Sequence, residues 1–175
     1  MSEIGHRKDH ELSMSARDKG MADVFFAQLE RRRPGAKAII YAHNNHIARA
    51  MEDRLPFKSP KFARERMGSF LAERFGSKYV SIGFLGYDIK LNHHLFKSFI
   101  EPPIPISKSS IERRLHDTGA KEVFVDLSKG FLQDERWYDI QDNGIRATAA
   151  PGRHYTGLYF VDFSPPLTER VILPR

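Results

Sequence analysis

The chain has no cysteine. That excludes disulfides, thiolate metal sites and a cysteine nucleophile, and it leaves the redox compartment open, because cysteine-free chains occur in both. It also lacks any apolar run of the roughly 20 residues needed to cross a bilayer. Residues 1–12 are polar and charged, without the apolar stretch of a secretory leader. The expectation is a soluble, cytoplasmic protein that does not enter a membrane. Internal repeats and low-complexity tracts are missing as well.

What is present suffices for one domain. With 175 residues and 41% hydrophobic composition, the chain can bury one core but is too short for two comfortable ones. Its formal net charge is +6, which favours contact with anions. The basic residues are interleaved with acids along the whole length, however, and no basic helix or stacking-aromatic module accompanies them, so nucleic acid is not an expected partner.

The most informative segment is Lys37-Ala38-Ile39-Ile40-Tyr41-Ala42-His43-Asn44-Asn45-His46-Ile47. An apolar run that reads as a buried strand ends there in four hydrogen-bonding side chains. In open α/β sheets ligands bind beyond the carboxyl ends of the strands, which makes His43 and His46 the leading site candidates.

Around this segment the pattern predicts alternating elements. A helix over residues 15–33 starts at Ser13 or Ser15 and stops at Pro34-Gly35, with Met21, Val24, Phe25 and Leu29 as its apolar stripe. Arg17 lies one turn before Met21, so it is expected along the buried face, where a guanidinium wants an anionic partner; Asp126 and Asp162 are candidates, though a helix-cap or loop-anchoring role is the expected one for each. Asp18 and Lys19 are read as that helix's exposed polar face. Ser59-Pro60 opens a second helix with Met67, Phe70, Leu71 and Phe75 inward and Gly76 as its C-cap. Strands are expected over residues 78–85, 122–127 and 155–163. A short helix after Ser109-Ser110-Ile111-Glu112 has capping-box spacing. Two strand–helix–strand units imply parallel pairing. Residues 86–107, with His93-His94 and Pro102-Pro103-Ile104-Pro105, and residues 128–154, with Trp137 and Tyr138, read as loops.

An imidazole can act as a general base near neutral pH, and an amide beside it can hold an oxyanion, so His43, Asn44, Asn45 and His46 together would suit hydrolysis. Two imidazoles could instead ligate a metal, but no carboxylate is adjacent and His93-His94 would have to be brought in from a loop, so no metal is expected. Arg17 has a plainer alternative as well, with its stem on the core and its head in solvent.

In order, Arg17-Asp18-Lys19-Gly20-Met21-Ala22, Ile39-Ile40-Tyr41-Ala42-His43-Asn44-Asn45-His46-Ile47-Ala48-Arg49, Met67-Gly68-Ser69-Phe70-Leu71 and Tyr79-Val80-Ser81-Ile82-Gly83-Phe84 resemble the C-terminal part of the erythromycin esterase family. Ser110-Ile111-Glu112, Asp126-Leu127 and residues 157–166 fit the same order. The resemblance implies a hydrolase that opens an ester or macrolide lactone with activated water and no metal or other cofactor. Some homologues carry the name succinoglycan biosynthesis protein. It further implies that His43 and Arg17 are active-site residues, that His46 belongs to the same catalytic cleft, and that Asn44, Asn45 and Arg49 bind substrate. Asn45 stands where the family usually has a smaller residue, often glycine, and would narrow the pocket.

Members of that family are about twice as long, and their N-terminal half supplies a second active-site histidine and acidic residues, including the base for water activation. Nothing before Arg17 matches that half. The expectation is therefore a polar tail over residues 1–14 and one α/β domain over residues 15–175, with a mainly parallel sheet flanked by helices and without the N-terminal half. It would be a fragment or truncated homologue with an incomplete site, whose partners are a small-molecule ester or lactone and a missing N-terminal half. The alternative is a non-catalytic remnant that binds a ligand or partner.

Overall fold

The computed structural model describes residues 3–50, 65–90, 105–130, 132, 136–142 and 145–165. Helix α1 spans Glu3–Glu30, so the expected tail over residues 1–14 is helical from Glu3 onward. No proline or glycine cluster interrupts that stretch, and Ser15 does not cap it. Ser15 is buried within the helix, and its hydroxyl donates to the Glu65 carbonyl at 3.0 Å. After α1 the chain turns through Gly35, whose φ of 79° suits glycine.

The inward stripe of α1 is rotated from the expected one. Ser15, Asp18 and Ala22 are buried, while Arg17 and Val24 are exposed. Met21, Phe25 and Phe26 pack against the core. Helix α2 is the four-residue segment Asn44–Ile47, and α3 runs Met67–Phe75 with Arg66 at its N-cap. Met67 and Leu71 are buried, and Phe75 meets Phe25 and Phe26 edge-on at 6.4 and 5.8 Å. Gly76, at φ 54°, ends α3 as expected. The start expected at Ser59-Pro60 lies outside the described residues.

Strand β1 is Ile82–Ile89, β2 is Glu122–Asp126 and β5 is Gly157–Ser164. They form one sheet in the order β1-β5-β2, with β1 parallel and β2 antiparallel to β5. The α/β class holds, but this sheet is mixed rather than mainly parallel, because β5 inserts between the two strands expected to pair. Helix α4, Ile111–His116, is capped by Ser110, whose hydroxyl accepts the Arg113 amide. The expected loop over residues 128–154 contains an antiparallel hairpin, β3 Tyr138–Asp142 and β4 Ile145–Ala149, followed by helix α5, Pro151–His154. The sequence signal for that hairpin is Asn143-Gly144, the dipeptide favoured in two-residue connections.

One face of the sheet is the core. Leu85, Leu158 and Phe160 are buried there, with Val123 and Val125 packed beside them. On the opposite face Phe84, Tyr159 and Phe124 stand in register across the three strands, and Phe84, Phe124 and Phe163 are all more than half exposed. Residues 37–42 are extended but not paired in a sheet among the described residues, which corrects the expected buried strand. The alternation remains: Ile40 and Ala42 pack on the core, whereas Ile39 and Tyr41 are 99% and 96% exposed.

Candidate active site

The site is built on α2, which is too short to hold itself. His43 is its N-cap, and its own Nδ1 accepts the Asn45 backbone N–H at 3.3 Å. At the other end the Ile47 carbonyl accepts from both the Tyr79 hydroxyl and Ser81 Oγ, each at 2.7 Å. Burial raises the Tyr79 pKa, with Ser81 and Arg49 partly opposing it, so this phenol stays a proton donor. The Tyr155 hydroxyl donates to the Asn44 carbonyl at 3.3 Å. Gly68 lets α3 cross here: a Cβ would lie 2.4 Å from both the Ala48 oxygen and the Ile47 carbonyl carbon.

Asn44 behaves like one more residue of a ladder on β1. Its Nδ2 donates to the Phe84 carbonyl at 2.6 Å and its Oδ1 accepts the Phe84 N–H at 2.8 Å. The amide expected to bind substrate thus ties α2 to β1. Arg49 is likewise engaged with backbone: its guanidinium donates to the Tyr79 carbonyl at 2.7 Å and the Gly76 carbonyl at 3.5 Å, and its own N–H donates to the His154 carbonyl. Asn45 contributes the backbone N–H that meets His43.

His46 turns toward α1. Its Nδ1 lies 2.6 Å from Asp18 Oδ1. Asp18 is completely buried, and the same oxygen accepts the Met67 backbone N–H at 3.2 Å. Arg66 Nε is 3.8 Å from its other oxygen. The rotation of α1 that carries Arg17 outward carries Asp18 inward, against the sequence expectation. Asp18 and Arg66 are the site residues that sequence reasoning missed. The available signal was that Ser15, Asp18 and Ala22 share one helix face at small-residue spacing.

Arg17 is exposed on α1 and, among the described residues, pairs with no buried acid. It lines an open groove of about 600 Å³ between α1 and residues 40–42, whose floor includes Met21, Ile40 and Met67. Ala42, the residue before His43, lines the facing wall. Asp126 and Asp162 are occupied elsewhere, in local contacts of the anchoring kind. Asp126 accepts from Ser128 Oγ and N–H, which lowers its pKa. Asp162 is held down by hydrogen bonds from His116 at 2.6 Å and Lys121 at 2.8 Å.

Among the described residues no group of three or more His, Asp or Glu is placed to hold a metal ion. His93 and His94 lie outside the described residues. No described helix is long and apolar enough to cross a membrane.

A family model described as erythromycin esterase matches residues 2–164. No curated protein matches the chain by sequence. Among solved structures, a succinoglycan biosynthesis protein superposes with a TM-score of 0.62 at 19% identity over 83% of this chain and 37% of its own. A mutant of erythromycin esterase EreC in its open conformation gives 0.58 at 20% identity over 84% and 36%. A protein from Bacillus cereus gives 0.50 at 21% identity over 69% and 32%. These likenesses show the fold. The matched part of this chain spans about a third of the length of these structures.

Proposed function

The chain belongs to the erythromycin esterase family, and from that membership we propose that it supplies one side of a cleft that hydrolyses a small-molecule ester or lactone by activated water. The observation that carries this reading is the His46–Asp18 contact of 2.6 Å, made on the four-residue helix that His43 caps. A buried carboxylate against one nitrogen of an imidazole holds that ring in one orientation, so that it can stabilise or orient substrate beside the water-activating base that the resemblance assigns to the N-terminal half. His43 would stabilise or orient the reacting carbonyl, and Arg17, at the rim of the groove, would hold a substrate oxygen or carboxylate through its forked donors. Asn44 and Arg49 would act by fixing α2, since both grip backbone carbonyls. A fold does not fix a substrate, and a macrolide is one candidate among esters and lactones.

The second reading, a binding remnant without catalysis, is favoured by the chain's span of about a third of its structural relatives. A chimera separates the two. The region of a solved relative that precedes its match to this chain is fused ahead of it, and hydrolysis of aryl esters and macrolide lactones is followed. Turnover that falls on His43→Ala and on His46→Ala supports the hydrolase. A chimera that is inactive, or active without regard to either histidine, puts the binding remnant first.

A further inference from the structure

We infer that the outer face of the β1-β5-β2 sheet seats an amphipathic α-helix with a basic rim, lying along β5 and supplied by the part of the family fold outside this chain's match. This rests on the reading of the chain as one side of a larger unit, but not on that unit's being a hydrolase.

The strands make this face apolar along its middle. Side chains alternate between the two faces of a strand, so Tyr159, Val161 and Phe163 lie on the side of β5 opposite the buried Leu158 and Phe160. The register sets Phe84 and Phe124 on either side of Tyr159. The Phe84 and Tyr159 rings already meet, with centroids 5.6 Å apart. Phe124 reaches across to the central strand, where a Cβ on Gly157 would lie 2.5 Å from its ring. Among the described residues nothing covers this row, and Phe84, Phe124 and Phe163 are each more than half exposed.

Strands paired in parallel, as β1 and β5 are, are normally covered on both faces, because their crossover connections place helices there. Here the core covers one face only. The missing cover has a definite size. Three strands about 4.8 Å apart make a strip about 10 Å wide, and the four steps from Tyr159 to Phe163 run about 13 Å. One helix is about 10 Å across, and about nine of its residues span that length. A source for it exists in the family fold, since the matches to the succinoglycan biosynthesis protein and to EreC take in only 37% and 36% of those chains.

The rim sets the chemistry of the occupant. Asp88 stands opposite Phe163, Glu122 opposite Val161 and Asp126 opposite Gly157, all on the outward alternation. Asp88 is paired with Lys90 at 2.7 Å. Glu122 is met by the Tyr159 hydroxyl at 2.7 Å and Asp126 by Ser128, so hydroxyls rather than ion pairs hold these two. An apolar strip edged by carboxylates favours a helix whose apolar stripe is edged by lysine or arginine, although the chain as a whole carries a net charge of +6.

The test uses the absence of cysteine: Phe124→Cys, Phe163→Cys and, as a control exposed on α3, Glu73→Cys each carry one thiol, whose rate of labelling by a maleimide reports its cover. Two synthetic peptides of about 18 residues, long enough to be helical alone, share a leucine stripe and differ only in having lysine or glutamate beside it. The lysine peptide should slow labelling at positions 124 and 163 by about tenfold when present at about ten times its Kd, and leave position 73 unchanged. The glutamate peptide should slow none of the three. In the chimera, with the cysteines of the added region changed to serine, positions 124 and 163 should be slowed to the same degree at every dilution. Equal effects of the two peptides, no effect of either, or open labelling at 124 and 163 in a folded chimera overturns the inference. Protection in the chimera that fades on dilution assigns the face to a second copy of the chain and overturns it as well. If the chimera does not fold, the peptides decide. Protected positions in a chimera without turnover would keep the helix seat and remove only the hydrolase reading, whereas His43-dependent turnover with both positions open would remove only the helix seat.

Discussion

At residue 68 there is room for a hydrogen and nothing larger. A Cβ on Gly68 would meet the Ile47 and Ala48 carbonyl oxygens at 2.5 and 2.4 Å, and Ile47 is not free to retreat because its carbonyl is held by two hydroxyls. Gly68→Ala is expected to destabilise the chain by about 1–3 kcal/mol, the usual cost of overpacking, read as a lower urea midpoint with an unchanged slope. Asp162 gives a prediction in pH. Its pKa is depressed by His116 first and Lys121 second, so the folded state binds fewer protons there than the unfolded chain. The stability this supplies is present above the ordinary carboxylate pKa and is lost as pH falls through the lower, folded value. The gap in unfolding free energy between wild type and Asp162→Asn should therefore be open at neutral pH and close progressively below about pH 4. His43 and His46 were legible in the sequence because imidazoles and amides at the end of an apolar run are conspicuous. Asp18 was not. Neighbouring positions on a helix point about 100° apart, and Arg17 and Asp18 can be exchanged between outside and inside by a small rotation that a stripe of Met21, Val24 and Phe25 does not determine.

Elements here depend on one another more than their lengths suggest. Helix α2, with four residues, is shorter than any helix that persists alone, and its end rests on the Ile47 carbonyl and its two donors. Ser81→Ala or Tyr79→Phe alone leaves one hydroxyl in place, and each is expected to cost about 0.5–1.5 kcal/mol. The double variant leaves a carbonyl without either donor, so its loss should exceed the sum of the two, the excess being the coupling that a double-mutant cycle measures. Elements with local signals were readable: Ser110 capping α4, Gly76 closing α3, and the alternation that places β2 and β5. Strand direction was not, because period-two alternation is the same whichever way a neighbour runs, and β2 is antiparallel to β5. The hairpin β3–β4 was missed although Asn143-Gly144 marks it, since its strands of five residues mix charged with apolar positions. Residues 37–42 illustrate a third case. Their alternation is real, but a strand also needs a neighbour, and sequence periodicity says nothing of whether one is at hand.

At the scale of the whole molecule, exposed apolar side chains among the described residues include Ile39 and Tyr41 on the segment between α1 and α2, and the row of Phe84, Phe124 and Phe163 on the sheet. Surfaces of this kind promote association. Replacing the three phenylalanines by threonine, which keeps β-propensity while removing apolar area, should lower self-association of the chain in sedimentation velocity; unchanged association would show that this face is not responsible. The same openness bears on catalysis. The groove between α1 and residues 40–42 exposes Arg17 and Tyr41 to solvent, so an ester entering it would stay in contact with bulk water, with its carbonyl not held in place. Holding reactants in an attack geometry contributes about 7–11 kcal/mol of barrier lowering in well-formed sites, and a correctly placed base adds only about 10²–10⁴-fold on top. The 175-residue chain by itself is therefore expected to hydrolyse aryl esters and macrolide lactones no faster than its own His43→Ala variant. Measured side by side, turnover by the unmodified chain that vanishes in His43→Ala would show that the open groove already positions substrate, and that the cleft requires nothing beyond these residues.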